Sequence, residues 1–183
     1  TKIPRELSYL VGKHREMYLH DMKLCQEFAK INRRTIQSII CYYMCWEVTK
    51  ETERFQTIHN YIEYDTNIVR KGAISAKTGE KVLIPINMRD GCILGIGKGN
   101  EDWNYSAPHG AGRTMSRSKA KESILLEEYQ KAMDGIFTTS VNTSTIDESP
   151  MAYKTMDEII GNIKDTVEIV DIIKPIYNFK ANE

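Results

Sequence analysis

The chain has 183 residues, 41% of them hydrophobic, which is enough for one domain with a real core. Its 25 basic and 25 acidic residues cancel, which excludes binding to nucleic acid through overall charge and leaves only a local patch for that purpose. No apolar run reaches the length of a membrane span, no charged-then-apolar leader is present, and the four cysteines fit neither a zinc spacing nor a secreted disulfide framework, so a soluble, cytoplasmic protein with reduced thiols is expected. An opening at Thr1-Lys2-Ile3-Pro4, without methionine, is expected of a processed chain or a piece of a longer one.

From Lys13 to about Trp46 there is neither proline nor glycine, and Met17, Leu24, Phe28, Ile31, Ile36, Ile39, Ile40, Tyr43 and Met44 recur at helical spacing. The pattern predicts one long helix over about 13–47, or two in line with a candidate break at Asn32-Arg33-Arg34. Cys25, Cys41 and Cys45 share the spacing and read as small core residues, whereas His14 and His20 read as surface residues. The period then changes. Phe55–Ile62 is short, β-branched and aromatic and reads as a strand, with His59-Asn60 able to present a nitrogen to a metal and an amide to a ligand. A lone histidine more often fills a structural role.

Asn67–Ile74 and Lys81–Ile86, on either side of a Lys77-Thr78-Gly79-Glu80 turn, read as a hairpin-like pair. Asn87–Gly91 is a further turn, and Cys92–Gly97 a buried strand in which Gly95 and Gly97 allow close backbone approach. A polar loop, Lys98–Tyr105, leads to Ser106-Ala107-Pro108-His109-Gly110-Ala111-Gly112-Arg113-Thr114-Met115-Ser116-Arg117. Pro108 resists helix, so His109 should sit on a turn, and Gly110 and Gly112 let a ligand approach the backbone. A helix beginning near Arg113 would offer free N–H groups to an anion and set Arg113 and Arg117 on one face as planar forks for phosphate. An imidazole with an ordinary pKa of about 6.5 is neutral at physiological pH and can form a covalent phosphoryl adduct. The same turn would also serve a histidine that merely caps a helix. Arg113, Arg117, Lys119 and Lys121, near only Glu122, make either a basic patch or a solvated helix face.

Ser118–Met133 reads as one amphipathic helix stopped by Gly135, Ile136–Val141 as a short strand, and Asp147–Lys154 as a polar loop. Met156–Lys164 reads as a short helix and Thr166–Phe179 as a strand whose Pro175 argues for an edge or a strand end. No internal repeat or low-complexity tract is found. Strands bracketed by helices without regular alternation predict an α+β fold.

In order, these pieces resemble the C-terminal part of the RtcB family of RNA-splicing ligases. The resemblance is carried by Asp21-Met22 through Ala29-Lys30-Ile31-Asn32-Arg33, His59-Asn60-Tyr61, Arg70-Lys71-Gly72-Ala73 and Ile84-Pro85 through Met88. It continues through His109-Gly110-Ala111-Gly112-Arg113 with Ser116-Arg117, Asp147-Glu148-Ser149-Pro150-Met151-Ala152-Tyr153-Lys154, and Lys174-Pro175 followed by Lys180. It implies mixed and antiparallel sheets with a long N-terminal helix, and residues 1–183 as the C-terminal portion of a larger ligase domain without internal boundary, its catalytic α+β region over 52–183.

The resemblance further implies a GTP- and manganese-dependent enzyme that joins an RNA 3′-phosphate or 2′,3′-cyclic phosphate to a 5′-hydroxyl in RNA repair or tRNA splicing. His109 is then the nucleophile that takes GMP, and His59 a manganese ligand. Asn60, Pro85, Ile86, Asn87, Met88, Cys92, Gly110, Ala111, Gly112, Tyr153 and Lys180 surround the guanylate, Lys180 at guanine. Arg113 and Arg117 hold phosphate or RNA backbone. Two manganese ions are expected; the other ligands, an aspartate, a cysteine and two histidines, belong to an N-terminal half, which is the expected partner together with RNA and an archease-type activator. Two departures stand out: Pro85-Ile86-Asn87-Met88-Arg89-Asp90 replaces the family's usual Pro-Gly-Ser-Met-Gly-Thr, and Val69 replaces a histidine before Arg70-Lys71-Gly72-Ala73. A catalytically silent RNA-binding relative, or another histidine phosphoryl-transfer activity, is the alternative reading.

Overall fold

A computed structural model describes residues 4, 8–49 and 51–180. The chain divides into two units, one running to Arg54 and taking in Tyr61–Asn67, the other comprising Phe55–Asn60 and the chain from Ile68 onward.

The first unit is built on one helix, α1 (Gly12–Tyr43), with no break at Asn32-Arg33-Arg34, followed by the two-residue strand β1 (Tyr61–Ile62). The Met22 sulfur accepts the Ile62 N–H at 3.4 Å, and the Lys23 ammonium lies over the Tyr64 ring. Leu19 is the buried residue of α1, whereas Met17, Leu24, Phe28, Ile31, Ile36, Ile39 and Ile40 are exposed. The expectation that Cys25, Cys41 and Cys45 are core residues is corrected: Cys25 and Cys45 are exposed and Cys41 half-buried, because among the described residues little packs over the helix beyond Leu19.

The second unit carries the sheets. Alternating burial in β4 (Lys81–Asn87) sends Val82, Ile84 and Ile86 inward, and β5 (Gly91–Gly97) pairs with it across the Asn87–Gly91 turn. β7 (Val167–Ile173) completes a three-stranded antiparallel sheet in the order β4-β5-β7, so Pro85 and Pro175 fall in and beyond edge strands, where a missing N–H costs least. After β2 (Val69–Arg70), β3 (Ala73–Ser75) pairs with β6 (Ser106–Pro108), not with β4. The expected hairpin around Lys77–Glu80 is therefore corrected: the turn forms, with the Glu80 N–H donating to the Lys77 carbonyl, but it leads between two sheets. Phe55–Ile62 is likewise corrected, since only its last two residues are strand.

Two apolar clusters fill this unit. One gathers Ile74, Val82, Ile84, Ile86, Ile93, Ala107, Ala111, Ile159, Ile163 and Val167 between the sheets and α4 (Met156–Asn162). The other gathers Met88, Ala120, Ile124, Tyr129, Met133, Ile146 and Ala152 around α2 (Arg117–Ser123) and α3 (Leu126–Ala132), and Tyr153 packs against both. The single helix expected over Ser118–Met133 is thus two, divided where Ile124 turns extended to bury its side chain and the Glu128 carboxylate caps the Leu125 N–H. Ile136–Val141 contributes only a bridge between Thr138 and Asn178, and the expected loop over Asp147–Lys154 contains 3-10 turns at Thr143–Glu148 and Pro150–Ala152.

Gly97 sits where a Cβ would lie 2.4 Å from the Ala76 carbonyl carbon, as the sequence reading of close approach required. Gly97→Ala is expected to lower the unfolding free energy by about 1–3 kcal/mol through forced backbone displacement, read from urea denaturation. An unchanged midpoint would contradict the packing described.

Candidate active site

His109 leaves the end of β6 on a short loop held from both sides. Its N–H donates to the Gly72 carbonyl at 3.3 Å, and the Ala111 N–H donates to the Pro85 carbonyl of β4 at 3.0 Å. A Cβ on Gly110 would stand 3.1 Å from that Pro85 oxygen, so the loop lies as close to the strand as a glycine permits. Gly112, at φ +74°, turns the chain so that its carbonyl accepts the Lys154 N–H and the Thr114 N–H reaches the Ala152 carbonyl.

The loop forms one wall of a cavity of about 660 Å³, within the ~300–1,000 Å³ typical of small-molecule sites. Its walls include His109, Gly110, Ala111, Gly112, Arg113 and Arg117 from the loop and α2, Pro85, Ile86, Asn87, Met88 and Cys92 from the sheet, Tyr153 and Lys180 from later segments, and Glu148. Pro85 and Cys92 are register partners, as are Cys92 and Ile173, so three strands contribute one row of side chains to the cavity. Burial pushes the Cys92 thiol up, which keeps it protonated and unreactive at neutral pH.

The two histidines meet. The rings of His59 and His109 stack with centroids 4.7 Å apart and 15° between planes. Partial burial, and then the neighbouring His59, hold the His109 imidazole below its ordinary pKa, so its lone pair stays available to lower pH than in a free histidine. His59 and Asn60 do not line the cavity; Asn60, at φ +59°, accepts the Gly72 N–H at 2.9 Å and so fixes the residue whose carbonyl holds His109. Among the described residues no three or more His, Cys, Asp or Glu side chains gather as a metal site, so His59 offers at most one ligand of a set completed elsewhere.

The replaced pocket segment is a closed turn. The Asn87 side-chain oxygen accepts both the Arg89 and Asp90 N–H groups, its amide donates to Asp90 at 2.8 Å, and the Arg89 guanidinium pairs with Asp90 at 2.8 Å, holding that carboxyl below the usual range. Met88 points inward, where its sulfur accepts the Tyr129 hydroxyl. Val69 is exposed, and nothing in the structure explains its replacement of a histidine.

The basic turn is corrected in two respects. Helix α2 starts at Arg117, capped by Ser116, so Arg113 lies outside it and bridges instead to Tyr153. Nor do its cations face only Glu122: Arg117 pairs with Asp147 at 2.7 Å and Glu148 at 3.1 Å, Lys121 with Asp147 at 3.7 Å, and Arg113 with Glu148 at 3.6 Å. Arg113 also donates to the Tyr153 hydroxyl at 3.0 Å and to the Asp147 carbonyl, with its guanidinium over the Tyr153 ring. Glu148 is the site residue that sequence spacing did not single out. It accepts the Tyr153 hydroxyl at 2.8 Å and the Lys180 ammonium at 3.2 Å. Burial opposes its charge, but Tyr153, Lys180 and Arg117 outweigh that and hold its carboxyl below the usual range. Burial and the adjacent Glu148 push the Tyr153 phenol up to about 12, so Tyr153 is a permanent donor.

A cavity of small-molecule size, lined by an imidazole and by paired cations, belongs to a class that the chain's relatives make specific. The family model described as tRNA-splicing ligase RtcB matches residues 3–181, and the chain belongs to that family. It is 31% identical to the RNA-splicing ligase RtcB of Escherichia coli over 97% of this chain and 47% of that protein, and 41% identical to the tRNA-splicing ligase RtcB of Aeropyrum pernix over 44% of this chain and 18% of that protein. The chain spans about half the length of the Escherichia coli relative it matches. Among the described residues no helix is long and apolar enough to cross a membrane.

Followed by NMR, the His109 ring is expected to titrate with a midpoint below the ordinary value of about 6.5. His59→Ala should raise that midpoint only in part, because desolvation remains. A midpoint above the ordinary value, or one unmoved by the substitution, would contradict the stacked arrangement.

Proposed function

We propose that the protein of which this chain forms part is an RNA ligase that activates a 3′-phosphate or 2′,3′-cyclic phosphate end with GTP and joins it to a 5′-hydroxyl, with His109 as the nucleophile. The observation that carries this reading is the tethered imidazole of His109, stacked on His59, on the wall of a cavity of about 660 Å³ that Tyr153 and Lys180 also line.

In the first step a neutral His109 nitrogen attacks the α-phosphorus of GTP. A P–N bond forms, the bond from the α-phosphorus to the bridging oxygen breaks, pyrophosphate leaves with that electron pair, and the imidazolium returns to neutrality by losing its other N–H proton. Burial aids this step by keeping the ring unprotonated. An oxygen of the RNA 3′-phosphate, after opening of the ring by water where the end is cyclic, then displaces His109 from the guanylate. The 5′-hydroxyl attacks the RNA phosphorus and releases GMP, forming the phosphodiester. Manganese would supply charge neutralisation at the phosphoryl oxygens, with His59 as one of its ligands. Tyr153 and Lys180 supply donors for the base, and Arg113 and Arg117, both on the cavity wall, supply cations for phosphate. Asn87 and Asp90, bonded to each other, keep the turn of the altered segment closed with bulkier side chains than the family's usual ones.

The reading of a silent RNA-binding relative draws on the basic turn, whose arginines are paired with Asp147 and Glu148. That pairing favours the enzyme. Full-length protein incubated with α-labelled GTP and manganese is expected to acquire one acid-labile GMP on His109, and His109→Ala to acquire none. RNA binding without any adduct would overturn the proposal, and an adduct without joined RNA would replace it with a different phosphoryl transfer.

A further inference from the structure

Glu148 contacts four side chains, and all four line the cavity: Arg113, Arg117, Tyr153 and Lys180. The carboxylate is mostly buried, whereas the Lys180 side chain is 40% exposed. A lysine stem has four rotatable carbons, and among the described residues its ammonium donates to the Glu148 Oε2 atom. The same oxygen accepts the Tyr153 hydroxyl, itself fixed by packing against both apolar clusters. The chain Tyr153–Glu148–Lys180 thus links the core to a half-exposed cation.

We propose that Glu148 is a positioning residue that sets the base preference of the nucleotide cavity by holding Lys180 with its donors toward the base. This rests on the reading of the cavity as a nucleotide site. An ammonium has three donors and no acceptor, and Glu148 takes one of the three. The others suit a base edge that carries only acceptors, such as the O6 and N7 of guanine, and conflict with the 6-amino donor of adenine. A donor fixed in place rejects a mismatched edge far better than one free to swing away, because the mismatch then leaves polar groups unpaired. Arg113 and Arg117, on the other carboxylate oxygen, hold Glu148 itself in place.

The test is adduct formation on full-length protein with GTP and with ATP as alternative donors, for the unsubstituted protein and for Glu148→Gln. Glu148→Gln is expected to raise KM for GTP about tenfold, the scale of losing a hydrogen bond to a charged group, and to cut the preference for GTP over ATP by a similar factor. The loss is expected in KM and in the ratio of GTP to ATP use, and not in the maximal rate alone, which separates a positioning role from a merely structural one. Glu148→Asp keeps the charge one methylene further back and should lose only part of the preference, which also covers the case of a Gln variant that folds poorly. Combined with Lys180→Met, Glu148→Gln should add nothing to the loss that Lys180→Met causes alone. Intact preference in Glu148→Gln or Glu148→Asp, a loss confined to the maximal rate, or additive effects with Lys180→Met would overturn the inference while the nucleotide reading stands. An unsubstituted protein that forms no adduct would overturn that reading and the inference with it.

Discussion

The site depends on the backbone tether of the His109 loop. Two carbonyls, those of Gly72 and Pro85, take the N–H groups of His109 and Ala111, and Ala111 is itself part of the core beneath β4. Backbone donors that face the interior must be paired, so these bonds hold the loop to its neighbours and fix the imidazole at the same time. Asn60 extends the arrangement by one link, holding Gly72 from the far side. In the proposed reaction a nucleophile held this way would lose little freedom at the moment of attack, the condition under which positioning lowers a barrier most.

Around that fixed point the charges are shared. Asp147 and Glu148 lie among Arg113, Arg117, Lys121 and Lys180, so the surface that looks basic along the chain is partly neutralised in space and keeps more cations than carboxylates. Pairing of this kind costs desolvation and contributes little net stability, but it fixes the direction of every donor. The Tyr153 phenol, held protonated by its carboxylate neighbour, and the Lys180 ammonium are therefore oriented before any ligand arrives.

Much of this was legible in the sequence wherever the signal is local. The unbroken periodicity of α1, the alternation of Val82, Ile84 and Ile86, the glycines of β5 and the edge prolines all mark elements that the structure contains. Most of the residues that resemblance assigned to the nucleotide line one cavity, with Asn60 and His59 just behind its wall. What was not legible is non-local. Nothing in Ala73–Ser75 says that its partner is Ser106–Pro108 rather than the next strand, and nothing near Arg117 says that its counter-charges lie at Asp147 and Glu148. The division of α2 from α3 had a faint mark, Glu128 three residues after Leu125, but a leucine at the cap position hides it. The apolar stripe of α1 announced a helix and not its environment: its side chains are exposed in a chain that spans 47% of its Escherichia coli relative.

The central claim is that the His109 imidazole faces the α-phosphate of a nucleotide bound in this cavity. A crystal structure of the full-length protein with manganese and a GTP analogue that cannot transfer its nucleotidyl group tests it directly. The account predicts the α-phosphorus within about 3–3.5 Å of a His109 ring nitrogen, in line for attack, with the base against Tyr153 and Lys180. A nucleotide bound elsewhere, or bound here with both ring nitrogens turned away from its phosphates, would contradict it.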